Sequence, residues 1–152
     1  MACRVIVACG ALKGPQPAPA LDLYRGGYFA DCRRWALSVA PRSAVYVLSA
    51  RHGLIRADRV IEPYEQSIHT ADRRELAGMV HLQAMQLLEP CTAVGLPWFV
   101  GGARYREVLQ AAGVAVRSIT LALPPGRGSR GIGAQRSWLL DHLGEVPAGG
   151  RP

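Results

Sequence analysis

Residues 44–64 read AVYVLSARHGLIRADRVIEPY. The first seven, AVYVLSA, are a short apolar run with β-branched and aromatic residues, which predicts a buried strand. The rest collects the hydroxyl of Ser49, the imidazole of His52, the guanidiniums of Arg51, Arg56 and Arg59, the carboxylate of Glu62 and the phenol of Tyr64. Apolar residues interrupt this set at Leu54, Ile55, Val60 and Ile61. The segment therefore reads as a loop folded around something, delivered by the strand before it.

Upstream, CRVIVAC (residues 3–9) predicts another buried strand, followed by a Gly/Pro-rich loop, GALKGPQPAPALDLY (10–24). YFADCRRWALSVA (28–40) has helical spacing, with Phe29, Cys32, Trp35 or Ala36, and Val39 recurring every three to four residues, and Pro41 ends it. Downstream, Thr70 is placed to N-cap a long helix, TADRRELAGMVHLQAMQLLE (70–89), with Asp72 in its first turn and Leu76, Val80, Leu87 and Leu88 inward. TAVGLPWFVG (92–101) predicts a third strand. GGARYREVLQAAG (101–113) predicts a helix with Tyr105, Val108 and Leu109 inward and Gly113 as its C-cap. VAVRSITLAL (114–123) is a fourth strand, PPGRGSRG (124–131) a glycine-arginine loop and IGAQRSWLLDHL (132–143) the last helix. Residues 1–144 make one domain in this reading, and 145–152 a flexible tail.

Strands alternating with helices predict an α/β domain. Its sheet would be mainly parallel, with four strands or slightly more, and helices would cover both faces. Ligands in such sheets bind outside the carboxyl ends of the strands. The loops leaving all four predicted strands carry chemistry: Cys9-Gly10, Ser49 to His52, Gly101-Gly102 and Gly126 to Gly133.

Composition narrows the classes. The chain has 152 residues, 49% of them hydrophobic, enough for a packed core and too apolar for disorder. No apolar run approaches the roughly 20 residues that span a bilayer, and the N-terminal run is too short for a convincing signal peptide, so the cytoplasm is the expected compartment. Cys3, Cys9, Cys32 and Cys91 lack C-x-x-C spacing and the histidines are scattered, which predicts reduced thiols, no metal site and no cofactor. The formal charge is +7, carried almost wholly by arginine, with Lys13 the only lysine. Arginine's fork matches phosphate geometry, so a phosphate-bearing nucleotide or nucleic acid is the expected partner. A GC-rich genome explains the arginine-for-lysine bias but not the excess of positive charge.

His52 is either a general acid-base, a hydrogen-bonding group for a ligand, or a solvated loop histidine. Ser49 lacks the G-x-S-x-G elbow of a nucleophile and reads as a binding hydroxyl. Pro63 holds Glu62 extended, where its carboxylate can activate water or steady a cationic transition state; the alternative is a surface pair with Arg56 or Arg59. Tyr24 and Tyr64 can each stack on a base, and Tyr64 can equally plug the core. Cys9 is a nucleophile or a buried thiol, and Lys13 a phosphate contact or a solvated amine. Gly101 and Gly102 line the third strand exit. Gly126, Arg127, Gly128, Arg130 and Gly131 fall in a G-x-G-x-x-G run before a helix, a phosphate cradle or an exposed loop.

These residues resemble the YaaA-like family, the peroxide-stress protein YaaA and its smaller relatives. The family pattern, L-S-x-x-[YH]-G-L-[LI]-R-P-x-x-x-I-x-P-Y, is matched by Leu48, Ser49, His52, Gly53, Leu54, Ile55, Arg56, Ile61, Pro63 and Tyr64, with Ala57 in place of proline. The smaller relatives are also similar at Cys9, Gly10 and Lys13, at Ala20, Leu23, Tyr24, Gly26 and Phe29, at Gly102 to Tyr105, and at Gly131 to Leu139. The resemblance covers most of residues 3–140. It implies a nucleotide or nucleic-acid connection; because this chain is much shorter than YaaA, the extra parts associated there with DNA binding are expected to be missing. Pro63 to His69 is also similar to a P-Y-x-x-S-x-H stretch of archaeosine synthase, which modifies a deazaguanine base in tRNA.

The expectation is an enzyme acting at the N-glycosidic bond of a nucleotide or nucleic-acid base, with Glu62 and His52 catalytic. The alternative is a DNA- or RNA-binding protein whose arginines meet backbone phosphates.

Overall fold

A computed structural model describes residues 3–88, 95–119 and 131–147. Its centre is a five-stranded sheet of β1 (Val5–Ala8), β3 (Val45–Ser49), β4 (Gly53–Arg56), β6 (Trp98–Val100) and β7 (Arg117–Ser118), in the order β4-β3-β1-β6-β7. Four strands are parallel; β4 runs antiparallel to β3 at one edge. The register sets Val5 beside both Val45 and Trp98, and Ile6 beside Tyr46 and Phe99.

Alternation along these strands builds two cores, because successive side chains leave opposite faces of a sheet. Val5, Val7, Val45 and Val47 meet Phe29, Cys32 and Trp35 of helix α2 (Gly27–Val39) and Leu139 of helix α5 (Ile132–Asp141). Ile6, Ala8, Tyr46, Leu48 and Phe99 meet Leu76 and Val80 of helix α3 (Arg73–Leu87) and Val108 and Leu109 of helix α4 (Ala103–Ala111). Helices thus cover both faces of a single, mostly parallel α/β domain.

Several local readings need correction. The segment after β3 is a β-hairpin before it is a loop: Gly53 takes φ +70° and turns the chain back, so that Leu54 and Ile55 pair with Leu48 and Val47. Downstream, β5 (Val60–Ile61) pairs with β2 (Ala18–Pro19), and the short helix α1 (Ala20–Leu23) follows directly. The first loop is therefore partly ordered as regular structure. Asp72, not Thr70, caps α3, accepting from the amides of Arg74 and Glu75, while the Thr70 hydroxyl donates to the Ser67 carbonyl. Gly113 does stand just past α4 with φ +73°. The expected tail starts anchored, since the Trp35 indole donates to the carbonyl of Glu145; residues 148–152 lie outside the described residues.

Candidate functional site

The polar loops meet at the carboxyl ends of β1, β3 and β6, and one ring organises them. Tyr64 is buried, and its hydroxyl sits 2.7 Å from Ser49 Oγ and 2.7 Å from the Tyr24 hydroxyl. Ser49, at 0% exposure, also accepts from the backbone amides of Arg51 (3.2 Å) and His52 (3.0 Å). Burial pushes the phenols of Tyr24 and Tyr64 above their usual range, with the nearby Cys9 thiol adding to the effect. Both are protonated donors at neutral pH.

Two cavities lie near Tyr64, which lines the first and has Lys13 of the second over its ring. The first, about 280 Å³, is lined by Arg51, His52, Arg59, Glu62 and Tyr64 among others. The His52 ring stands edge-on to Tyr64 with centroids 5.4 Å apart. Desolvation holds the His52 pKa below its ordinary value, and the charges of Arg59 and Arg51 lower it further, so the ring is neutral at pH 7. Its backbone is clamped by Gln83 of α3, whose Nε2 donates to the His52 carbonyl (2.7 Å) and whose Oε1 accepts from the Leu54 amide (2.8 Å). A Cβ on Gly53 would collide with that same Gln83 side chain. The left-handed turn and the clamp are one device.

The second cavity, about 310 Å³, is lined by Cys9, Gly10, Lys13, Tyr105 and the segment from Glu65 to His69. Cys9 Sγ lies 2.9 Å from the Tyr105 hydroxyl, and the Cys9 amide donates to the Leu48 carbonyl. Burial also raises the Tyr105 phenol, with Cys9 contributing. Lys13 Nζ lies 4.3 Å from the centroid of the Tyr64 ring and 5.8 Å from that of Tyr24. Its backbone is fixed by an antiparallel bridge to Tyr24.

The predicted residues thus sort into groups. His52, Glu62 and Arg51 share the first cavity, and Cys9 and Lys13 the second, with Tyr64 against both His52 and Lys13. Tyr24 packs on Phe29 and lines neither cavity, and its hydroxyl braces Tyr64. The buried Ser49 hydroxyl likewise positions the loop and is closed to a ligand. Arg56 is carried away from the strand exits because antiparallel β4 sets it beside Tyr46, near the other end of β3. A Cβ on Gly101 would collide with Ala8, so this glycine serves a close approach of β6 to β1, while Gly102 is exposed and caps α4. Gly126, Arg127, Gly128 and Arg130 lie outside the described residues, and Gly131 is the exposed N-cap of α5.

Three participants escaped the sequence reading as site residues. Arg59 lines the His52 cavity, and the surrounding Ala-Asp-Arg-Val run gave no hint of its direction. Gln83 sits mid-helix, where a polar residue reads as solvated. Tyr105 was legible only as an inward helix position, without its partner Cys9. No group of three or more His, Cys, Asp or Glu residues suited to a metal occurs among the described residues, and no helix there is long and apolar enough to cross a membrane.

Residues 5–141 match DUF6884, a family of unknown function. The chain belongs to this family. The match runs from the first residue of β1 to the last of α5, so both cavities fall within the shared domain. No curated protein and no solved structure matches the chain.

Proposed function

We propose that this DUF6884 protein is a hydrolase acting at the N-glycosidic bond of a nucleotide. The observation that carries the reading is the cavity in which Glu62 and His52 stand together with Arg51 and Arg59. One carboxylate, one neutral imidazole and two permanent cations in about 280 Å³ match the needs of a base-and-sugar site better than those of a backbone clamp. The +7 charge and the resemblance of residues 48–64 to the YaaA-like pattern support a phosphate-bearing substrate.

In this reading water adds to the anomeric carbon while Glu62 takes its proton. The electron pair of the breaking C–N bond leaves with the base, which then gains a proton from solvent. The carboxylate also steadies the positive charge that builds on the sugar. His52, neutral at pH 7, hydrogen-bonds the base instead of protonating it. The edge of Tyr64 and the exposed Val60 bound the apolar part of the site.

One observation favours a second reading. Arg73 and Arg74 at the start of α3, with His81, line a groove of about 490 Å³ between α3 and α4 that is separate from the two cavities. Backbone phosphates of DNA or RNA would suit such a groove, and binding would then fall steeply with salt.

The test is a mass-spectrometric screen of nucleoside monophosphates, modified-base versions and short oligonucleotides incubated with the protein. Free base released by the wild type and lost in Glu62→Ala supports the hydrolase. Oligonucleotide binding that is steep in salt, with no product from any substrate, supports the second reading instead.

A further inference from the structure

The second cavity has no part in the proposed bond cleavage, yet its Lys13 lies against Tyr64, which lines the first. Lys13 Nζ stands 4.3 Å from the centre of the Tyr64 ring, and the His52 ring stands 5.4 Å from that same centre. Lys13 and His52 are therefore separated by no more than the span of one nucleotide. The Tyr64 ring is held in place by Ser49 and Tyr24 at its hydroxyl.

The chemistry of the second cavity is that of an anion site. The Lys13 ammonium makes one hydrogen bond, to the Ala11 carbonyl at 3.1 Å, and no ion pair among the described residues involves it. An ammonium has three donors, so donor capacity remains. The Tyr105 phenol, kept protonated by burial, shares a hydrogen bond with Cys9 Sγ, and Ser67 and His69 line the same cavity. Glu65 is the one carboxylate among the described lining residues, and it is exposed. The bridge between Lys13 and Tyr24 fixes the lysine backbone beside the cavity.

We propose that the Lys13 cavity is the phosphate subsite of the same substrate, which makes that substrate a free nucleoside 5′-phosphate. The base lies on the His52 side and the phosphate on the Lys13 side. The inference rests on the hydrolase reading for the base subsite. It adds the substrate class, a monomer that carries its own 5′-phosphate to Lys13 within one nucleotide's reach of His52.

The test measures binding and turnover separately. Wild type, Lys13→Ala and Lys13→Arg are titrated by calorimetry with inorganic phosphate, a nucleoside, its 5′-monophosphate and a short single-stranded oligonucleotide, and base release is followed with the same nucleoside and nucleotide. The expected result is that the monophosphate binds at least about tenfold tighter than the nucleoside, as a charge-assisted contact provides. Lys13→Ala removes that increment without changing nucleoside binding, and Lys13→Arg restores part of it. An increment that survives Lys13→Ala overturns the inference, as does equal weakening of nucleoside and nucleotide. Preference for the oligonucleotide that depends on Lys13 overturns the monomer assignment. A Lys13-dependent increment without base release from any substrate leaves the phosphate subsite standing and removes the hydrolase reading.

Discussion

Tyr64 and Ser49 meet hydroxyl to hydroxyl at 2.7 Å inside the protein, and that contact ties the far end of a long loop to the last residue of β3. Ser49 spends its remaining capacity on the amides of Arg51 and His52. One small side chain thereby sets both the start of the hairpin and the ring that lines the first cavity and faces Lys13.

Ser49→Ala therefore leaves several buried polar groups short of a partner. A loss of about 1–3 kcal/mol of stability is expected, the usual range for orphaned buried groups. Urea unfolding of the variant beside wild type reads it directly. A change within a few tenths of a kcal/mol would mean that the hydroxyl is idle.

The clamp on His52 can be taken apart one bond at a time. Gln83→Ala removes both backbone contacts and should cost about 1–3 kcal/mol. Gln83→Glu keeps the acceptor for the Leu54 amide and loses the donor to the His52 carbonyl, so an intermediate cost is expected. Gly53→Ala strains φ +70° and collides with Gln83, and removing Gln83 as well should relieve only the collision. Chemical denaturation of the three single variants and the double variant checks the order.

His52 should titrate below its ordinary value of 6.5, because desolvation comes first and Arg59 and Arg51 add to it. A histidine whose folded pKa is depressed binds fewer protons folded than unfolded within that window. Its contribution to stability is fully present above 6.5 and is lost as pH falls through the folded value. Proton-NMR titration of the ring tests the shift. Arg59→Ala should move it back toward 6.5, and an unchanged value would remove Arg59 from the cavity's electrostatics.

Gly101 is expected to reject even a methyl group. A Cβ there meets Ala8 of β1 and the Phe99 ring, so Gly101→Ala must push β6 away from β1 or displace a buried ring. Overpacking of this kind costs about 1–3 kcal/mol, measurable as a lowered unfolding midpoint.

The sheet was legible because buried parallel strands leave short, uninterrupted apolar runs such as RVIVA and AVYVL, flanked by Gly and Pro. The hairpin was not. Gly53-Leu54-Ile55-Arg56 is too short to show alternation, and its strand character comes from pairing with β3, a tertiary fact. That one omission also misplaced Arg56, which reads as a neighbour of His52 in sequence and is carried off by β4. The helix start was read two residues early because Thr70 is as good a cap as Asp72, and only the turn at Ser67, which engages Thr70, decides between them. Within the site, residue types were legible and their facing was not. Tyr24 and Tyr64 look alike in sequence and both are buried, but Tyr64 lines the first cavity while Tyr24 packs on Phe29.

Hydrolysis in ¹⁸O-labelled water reads the role proposed for Glu62, activation of water against a glycosidic carbon. Wild type incubated with a nucleoside monophosphate is predicted to release free base and to leave one labelled oxygen on the sugar. Glu62→Gln should slow release by at least about a hundredfold, the range for loss of a general base. No free base from any nucleotide with wild type, or equal release by Glu62→Gln, would contradict it.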